Sequence, residues 1–472
     1  MINSGLKQSI LYGISIALMK GVSLLILPFI AHQLSTAEFG RLEVISTLAI
    51  IGSILVGMGL EDTLFRFAGG AATKQQQDHI ASEIFSLGLL ITVIALICGW
   101  FAANTLADWI PGNPSLYEVR LVLCVLALEG CIAIPLGWLR MNNRALSFFV
   151  ASCGRALLQA VLVVVFLYLD RGVAGILEAG LIAAIAQTLL LSYWQLRDTG
   201  LHFSLQTGRR SLIYSLPIVG SGLLAFALNG LDRWILAENT SLADVAEFAI
   251  AAKFALATVL LLQPFGMWWS PRRFTVLNET HGREKVTRFV TLGAGLALLT
   301  AVWVGLLSPA LISWLLPESY TNAGQYVLGL VAIMLLKELV ELFNIGCFIG
   351  KTTTCQFIIN LVAAVVGITA MLLLTPDYQV WGVILSLLLA QSIRLLLFYK
   401  ASQYFLALNY PVASLLLLTA LSIIWLLLSA QITGLGQLIV LLLSATGSLI
   451  ATAHALKIIT LPVNIRYKAG CQ

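Results

Sequence analysis

Lys337, Glu338, Glu341 and Asn344 interrupt a stretch that is otherwise apolar from Val327 to Ile349. Lys337, Glu341 and Asn344 fall at i, i+4 and i+7, which places them on one face of a helix. Glu338 adds a second acid three residues before Glu341. A carboxylate in that setting can titrate or hold Na⁺, and so couple a movement to an ion gradient. The same residues can instead neutralise one another, which only lowers the penalty of burial. Glu129 is a competing candidate for ion coupling, because no basic residue lies within four positions of it.

Basic residues are embedded in the same way. Lys20, Arg155, Lys253 and Lys337 stand well inside apolar runs. An ionised group at the centre of an isolated membrane helix costs at least ~2.5–3.5 kcal/mol, so it faces a cavity or a partner. Lys20 lies one turn before Ser23, on a stripe that either lines a cavity or meets an acid from a neighbouring helix. Arg155 and Lys253 are each about two turns inside their runs, too deep for comfortable snorkelling. Arg394 is nearer a run's end and is expected to snorkel. Asp232 and Arg233 are adjacent, point in different directions, and suit gating or interfacial anchoring equally well. Glu178 is the remaining acid of this kind.

The elements that position these residues follow from a rhythm. Apolar runs of about 20 residues recur from Ser9 to Lys457, each long enough to cross a ~30 Å hydrocarbon core as a helix. Hydrophobic residues make up 59% of the 472 residues and charged ones 10%, against ~25% charged in soluble domains. Mean hydropathy is +0.95. The sequence therefore specifies an all-α polytopic membrane protein. About fourteen transmembrane helices are expected, over 9–31, 41–60, 80–103, 118–138, 147–169, 173–196, 212–236, 245–270, 287–308, 323–346, 353–375, 380–400, 411–430 and 435–459. The first run is too long for the apolar core of a signal peptide and reads as a retained span. Pro28, Pro135, Pro217 and Pro264 fall inside spans, where each favours a kink.

Connectors alternate in charge. One set carries eighteen Lys and Arg, among them Lys74, Arg140, Arg210, Arg288 and Lys400; the other carries Arg41, Arg120, Arg171 and Arg233. Basic short loops stay cytoplasmic, so both termini are expected on the cytoplasmic side.

The chain also repeats itself. Ser35-Thr36-Ala37-Glu38 lies 206 residues before Ser241-Leu242-Ala243-Asp244, and Arg66 lies 206 before Arg272. Both tetrapeptides have the Ser-x-x-acid form of a capping box. A repeat of six helices keeps its orientation, which predicts two parallel six-helix lobes, 1–205 and 206–405, with two C-terminal helices and a tail at 406–472. The last two helices carry no charge from Pro411 to Ala453 and are expected on the outside of the lobes.

Several chemistries find no support in the sequence. The seven cysteines have no paired spacing, and the five histidines have no partners at metal or triad spacing. No metal site, cofactor or nucleic-acid partner is expected. No phosphate-cradling Gly-rich loop is present. A membrane polysaccharide polymerase would need a sizeable external loop with acids, His or Arg, whereas the longest connectors, 61–79 and 271–286, lie on the basic side. Trp268-Trp269 is expected to mark a membrane interface rather than a sugar platform.

Pro28-Phe29-Ile30, Leu34 to Gly40, Met58-Gly59-Leu60 and Arg66-Phe67 occur in the order that resembles the start of bacterial polysaccharide flippases. Leu231 to Leu236, Phe248 to Phe254 and Gln263 to Pro271 resemble the second half. The chain is similar over nearly its whole length to lipid-linked oligosaccharide (O-antigen type) translocases of the multidrug/oligosaccharidyl-lipid/polysaccharide exporter superfamily.

That resemblance implies a two-lobed, alternating-access carrier in the bacterial inner membrane. It would flip an undecaprenyl-pyrophosphate-linked oligosaccharide for O-antigen, capsule or exopolysaccharide synthesis. A polymerase and a chain-length regulator are the protein partners implied, beside membrane lipids. Lys20, Arg155, Lys253 and Lys337 would then hold the pyrophosphate. Glu129, Glu338 or Glu341 would couple transport to Na⁺ or H⁺. A drug/cation antiporter of the same superfamily is the rival; it would typically pair a buried Asp with few basic groups, whereas Asp232 is the sole Asp within these spans and cations are plentiful.

Overall fold

The computed structural model describes residues 4–57, 59–270, 272–349, 354–428, 434–456 and 458. Met58, Pro271 and Lys457, named above, lie outside the described residues, as do Lys351, Arg466 and Lys468 of the basic connectors and the cysteine Cys471. So does the side chain of Lys20, although its helix is placed.

The first six runs form α1 (Ser4–Gln33), α2 (Thr36–Gly57) with the short α3 (Leu60–Ala68), α4 (Lys74–Trp109), α5 (Leu116–Met141), α6 (Ala145–Tyr168) and α7 (Gly172–Thr199). The next six form α8 (Leu205–Asn229) with α9 (Leu231–Asn239), α10 (Leu242–Ala255) with α11 (Ala257–Trp269), the short α12 (Arg273–Leu277) and α13 (Gly282–Leu315), α14 (Ala323–Phe343), and α15 (Thr354–Phe405). The last two are α16 (Val412–Leu428) and α17 (Leu435–Ala455). Among the described residues, every expected run is helical over most of its length. Nine helices among the described residues are long and apolar enough to cross a membrane. The chain is a multi-span membrane protein.

α15 counts for two runs. At Gln379 the backbone adopts φ 50° and ψ −126°, and the helix folds back on itself there. The two arms are side by side, since the Arg394 Nε–H donates to Asn360 Oδ1 at 2.9 Å across 34 residues. Gly382 permits the tight turn, because a Cβ on it would lie 2.4 Å from the Leu374 carbonyl oxygen.

Two breaks divide runs that the sequence reads as continuous. Gly230 separates α8 from α9, so Asp232 and Arg233 sit on a short helix of their own. Gly59, at φ 59°, separates α2 from α3, and glycine is suited to that left-handed conformation. Helix starts are capped as their residues dictate: Thr73 Oγ1 accepts from the Gln76 amide, and Ser115 and Glu118 close a reciprocal capping box.

The chain divides into two compact units. One comprises Met1–Ile250, Leu315–Asn322 and Ala364–Ser386; the other comprises Ala251–Trp314, Ala323–Ala363 and Leu387–Gln472. In the first, Leu60, Leu64, Phe85, Ile134 and Trp138 form one core cluster, and Ile132, Leu139, Phe148 and Leu191 another. In the second, Val286, Val290, Leu342, Phe343 and Leu406 make one cluster. α16 and α17 pack on α13 through Leu418, Leu438, Leu449, Leu298 and Val302. Leu416, Leu427, Val440 and Leu443 on those two helices remain exposed. Apolar exposure of that extent suits lipid rather than water.

Candidate functional site

Three clusters gather many of the charged residues in the spans and at their ends. The first lies inside the first unit, where α5, α6 and α7 pack together. Arg155 of α6 points its Nη2 at the Glu129 carboxylate of α5, 3.5 Å away, and its Nη1–H donates to Gln187 Oε1 of α7 at 3.0 Å. Gln187 is buried and its Nε2–H donates to the Ala151 carbonyl at 3.2 Å. Ala151 and Ala184, small and buried in the core cluster shared by these helices, let the backbones approach closely there. Glu129 therefore has a guanidinium partner that its own helix does not reveal.

The second cluster lies inside the second unit. Glu341 of α14 faces Arg394 Nη2 of α15 at 3.6 Å, and its second oxygen accepts from Asn344 Nδ2 at 3.2 Å. Arg394 also donates through Nη1 to Gln391 Oε1 at 3.3 Å. The expectation that Arg394 snorkels is corrected: its side chain is 14% exposed and held by one carboxylate and two amides. Pairing along the α15 hairpin outweighs the short distance to the run's end. Lys337 and Glu338 are half-buried on the same helix as Glu341.

The two clusters match in sequence position. Arg155 and Asn360 are 205 residues apart, and Gln187 and Arg394 are 207 apart, either side of the 206-residue repeat. The guanidinium comes from the fifth helix in one set and from the sixth in the other, with the amide on the opposite helix each time.

The third cluster joins the two Ser-x-x-acid turns, both inside the first unit. Ser35 N–H and Oγ–H donate to Glu38 Oε2 at 3.0 and 2.7 Å, and Ser241 N–H and Oγ–H donate to Asp244 Oδ2 at 3.0 and 2.7 Å. The two turns thus share the same local geometry. Next to them, Phe39 meets Tyr320 edge-on, with ring centroids 5.9 Å apart. Arg41 pairs with Glu118 at 3.4 Å, while its counterpart Glu247, 206 residues later, accepts from Asn322 Nδ2 at 3.2 Å. Tyr320 is fully buried between runs, and burial pushes its phenol up to about 12.

Arg233 joins this unit's α2 to α9. Its Nε lies 3.3 Å from Glu43 and its Nη1 lies 3.6 Å from Asp232. The Nε–Glu43 contact is an ion pair rather than an aligned hydrogen bond, since that N–H is buried without a bonded acceptor. Trp234 Nε1–H donates to the Val44 carbonyl at 3.3 Å and to Thr47 Oγ1. Glu178 is paired with Arg171 and accepts the Tyr117 hydroxyl at 2.7 Å.

Lys253 is half-buried on α10, in the second unit, and engaged in an interaction of its own. Trp268 is 40% exposed, but Trp269 is buried against Phe289, so only one of the two indoles can mark an interface. Sequence reasoning missed Glu43, Gln187, Asn360 and Gln391 as partners. The repeat offset held the signal for Gln187 and Asn360; nothing local pointed to Glu43. Among the described residues, no group of three or more His, Cys, Asp or Glu could hold a metal ion.

The fold and these embedded pairs define a class, the all-helical multi-span membrane proteins. By solved structures, the chain is similar to the lipid II flippase MurJ in its inward closed conformation, with 14% identity, 95% of this chain and 98% of that chain covered, and a TM-score of 0.75. It is also similar to an inward-facing multidrug resistance transporter of the MATE family, with 17% identity, 84% and 95% coverage, and a TM-score of 0.59. A MOP superfamily transporter from Pyrococcus furiosus matches with 18% identity, 84% and 96% coverage, and a TM-score of 0.54. Within that class, the chain belongs to the family described as polysaccharide biosynthesis protein, which matches residues 6–274. No curated protein matches it in sequence.

Proposed function

We propose that this protein is a flippase that carries an undecaprenyl-pyrophosphate-linked oligosaccharide across the bacterial inner membrane by alternating access, for surface polysaccharide synthesis. Membership of the polysaccharide biosynthesis family supports the pathway class. The observation that carries the reading is the set of basic groups built into the spans, with Arg155, Lys253 and Lys337 each half-buried. An anionic headgroup needs such groups on its route, and a charge-assisted contact to phosphate is worth ~1.5–3 kcal/mol. Both termini lie in the cytoplasm in this proposal, with Lys20 and Lys253 as headgroup contacts and Asp232–Arg233–Glu43 as a gating pair set. Glu338 or Glu129 takes the coupling Na⁺ or H⁺. A polymerase and a chain-length regulator act on the exported glycan.

The test is complementation in a strain lacking its own flippase. Lys253→Ala should abolish or cripple surface glycan while the protein still reaches the membrane, and Lys253→Arg should retain part of it. Normal display from a protein with Lys20, Arg155, Lys253 and Lys337 all replaced by Ala would end this reading.

Similarity in fold to the MATE-family transporters favours a second reading, a cation-coupled drug antiporter. It predicts drug tolerance on expression and no effect on glycan display.

A further inference from the structure

We propose that Arg273, Lys337 and Arg394 form an anion site in the second unit, and that the Glu341 carboxylate occupies it in place of a diphosphate. The inference rests on the flippase reading and assigns the headgroup a site other than Lys253.

The contacts around Glu341 are those of a carboxylate held loosely by good donors. Arg394 is fixed by Asn360 at 2.9 Å and Gln391 at 3.3 Å, and these leave Nη2 aimed at Glu341. That separation is 3.6 Å, longer than the ~2.7–2.9 Å of a good N⁺–H···O⁻ bond. Arg273 sits in the field of the same carboxylate. Its guanidinium lies over the Phe348 ring at 4.3 Å and the Phe274 ring at 4.9 Å. Its Nε–H is buried with no acceptor. Lys337 shares the field of Arg394, Glu338 and Glu341.

Charge and access agree with an exchange of partners. The three cations and the acids Glu338 and Glu341 sum to a net charge of +1; moving Glu341 aside leaves +2, the sign that a diphosphate requires. Glu341 is the solvent-accessible member, with its side chain 56% exposed while that of Arg394 is 14% exposed. Stacked and amide-held guanidinium groups are preorganised for bidentate phosphate contacts. The ligand class is therefore a prenyl diphosphate headgroup, and Glu341 competes with it for Arg394.

Farnesyl pyrophosphate binding to the full-length protein in micelles tests this, with farnesol as the neutral control. Glu341→Gln keeps the shape, removes the competitor, and should bind farnesyl pyrophosphate about tenfold tighter. Arg394→Gln should bind it about tenfold more weakly, and farnesol should not distinguish the proteins. Unchanged or weaker binding by Glu341→Gln overturns the proposal, and this variant decides alone if Arg394→Gln does not fold. If neither variant alters binding or glycan display while Lys253→Ala blocks display, this site falls and the flippase reading stands. If wild type binds farnesol as well as the diphosphate and complementation also fails, both fall.

Discussion

Gly40 lies so close to Leu242 that a Cβ built on it would stand 1.8 Å from the Leu242 carbonyl oxygen. Gly40 lies two residues past the first capped turn and Leu242 inside the second, so the starts of α2 and α10 meet backbone to backbone. Phe39 and Tyr320 close over the same spot. Gly40→Ala must push one helix start away, and overpacking of a tight contact costs about 1–3 kcal/mol. A fall in thermal midpoint and a loss of glycan display are expected. A Gly40→Ala variant with the wild-type midpoint would contradict the close approach.

The Arg155–Glu129 pair makes a coupling prediction. Removing Arg155 leaves Glu129 half-buried without its guanidinium, and removing Glu129 leaves Arg155 with only the Gln187 amide, and each is more harmful than removing both. Glu129→Gln and Arg155→Met should each lower the thermal midpoint, and the double variant should lose less than the sum. A coupling energy of about 0.5–3 kcal/mol is expected from the cycle. Strict additivity would show that the two groups act separately.

Alkaline pH should probe the Tyr320 site. Burial raises this phenol to about 12, from an ordinary value of 10.0. The raised folded value means that stability is fully present below pH 10 and is lost as pH rises towards 12. The size of the effect is about 1–3 kcal/mol for a shift of this kind. Tyr320→Phe removes a buried hydroxyl with no partner, so it should be as stable as wild type at neutral pH. It should also decline less between pH 10 and 12 in a chemical-denaturation series. Parallel declines would discount the assignment.

Topology follows from the basic connectors. Reporter fusions after Arg210 and Arg288 should read cytoplasmic, and fusions after Pro111 and Glu318 external. Arg210 and Glu318 reporting the same side would break the alternation.

The runs were legible because hydropathy and length alone define a spanning helix, and among the described residues helices appear where the apolar stretches lie. The hairpin turn was legible too, as a gap between 375 and 380 that the structure fills with Pro376 and the left-handed Gln379. Partnerships were not. Whether Arg394 reaches lipid headgroups or Glu341 depends on the rotation of α15 about its axis relative to α14, and hydropathy is silent on rotation. Arg233 shows the same limit, since Glu43 lies 190 residues away in sequence and shares no motif with it. The capped turns are the exception: Ser-x-x-acid fixes its own hydrogen bonds within four residues, so sequence sufficed.

The single-residue bend at Gln379 bears on how the chain enters the membrane during synthesis. With no loop between its arms, α15 leaves the ribosome as one long apolar segment carrying Arg394 near its far end. An arginine alone resists partition into lipid by about 2.5–3.5 kcal/mol on the translocon scale, but Asn360 on the preceding arm receives its Nε–H at 2.9 Å. The hairpin thus supplies its own polar mate before α16 is made, and the two arms should pass the lateral gate of the translocon together. Asn360→Leu should reduce the fraction of molecules in which the second arm inserts, measured by glycosylation mapping; an unchanged fraction would mean that the arms insert one after the other.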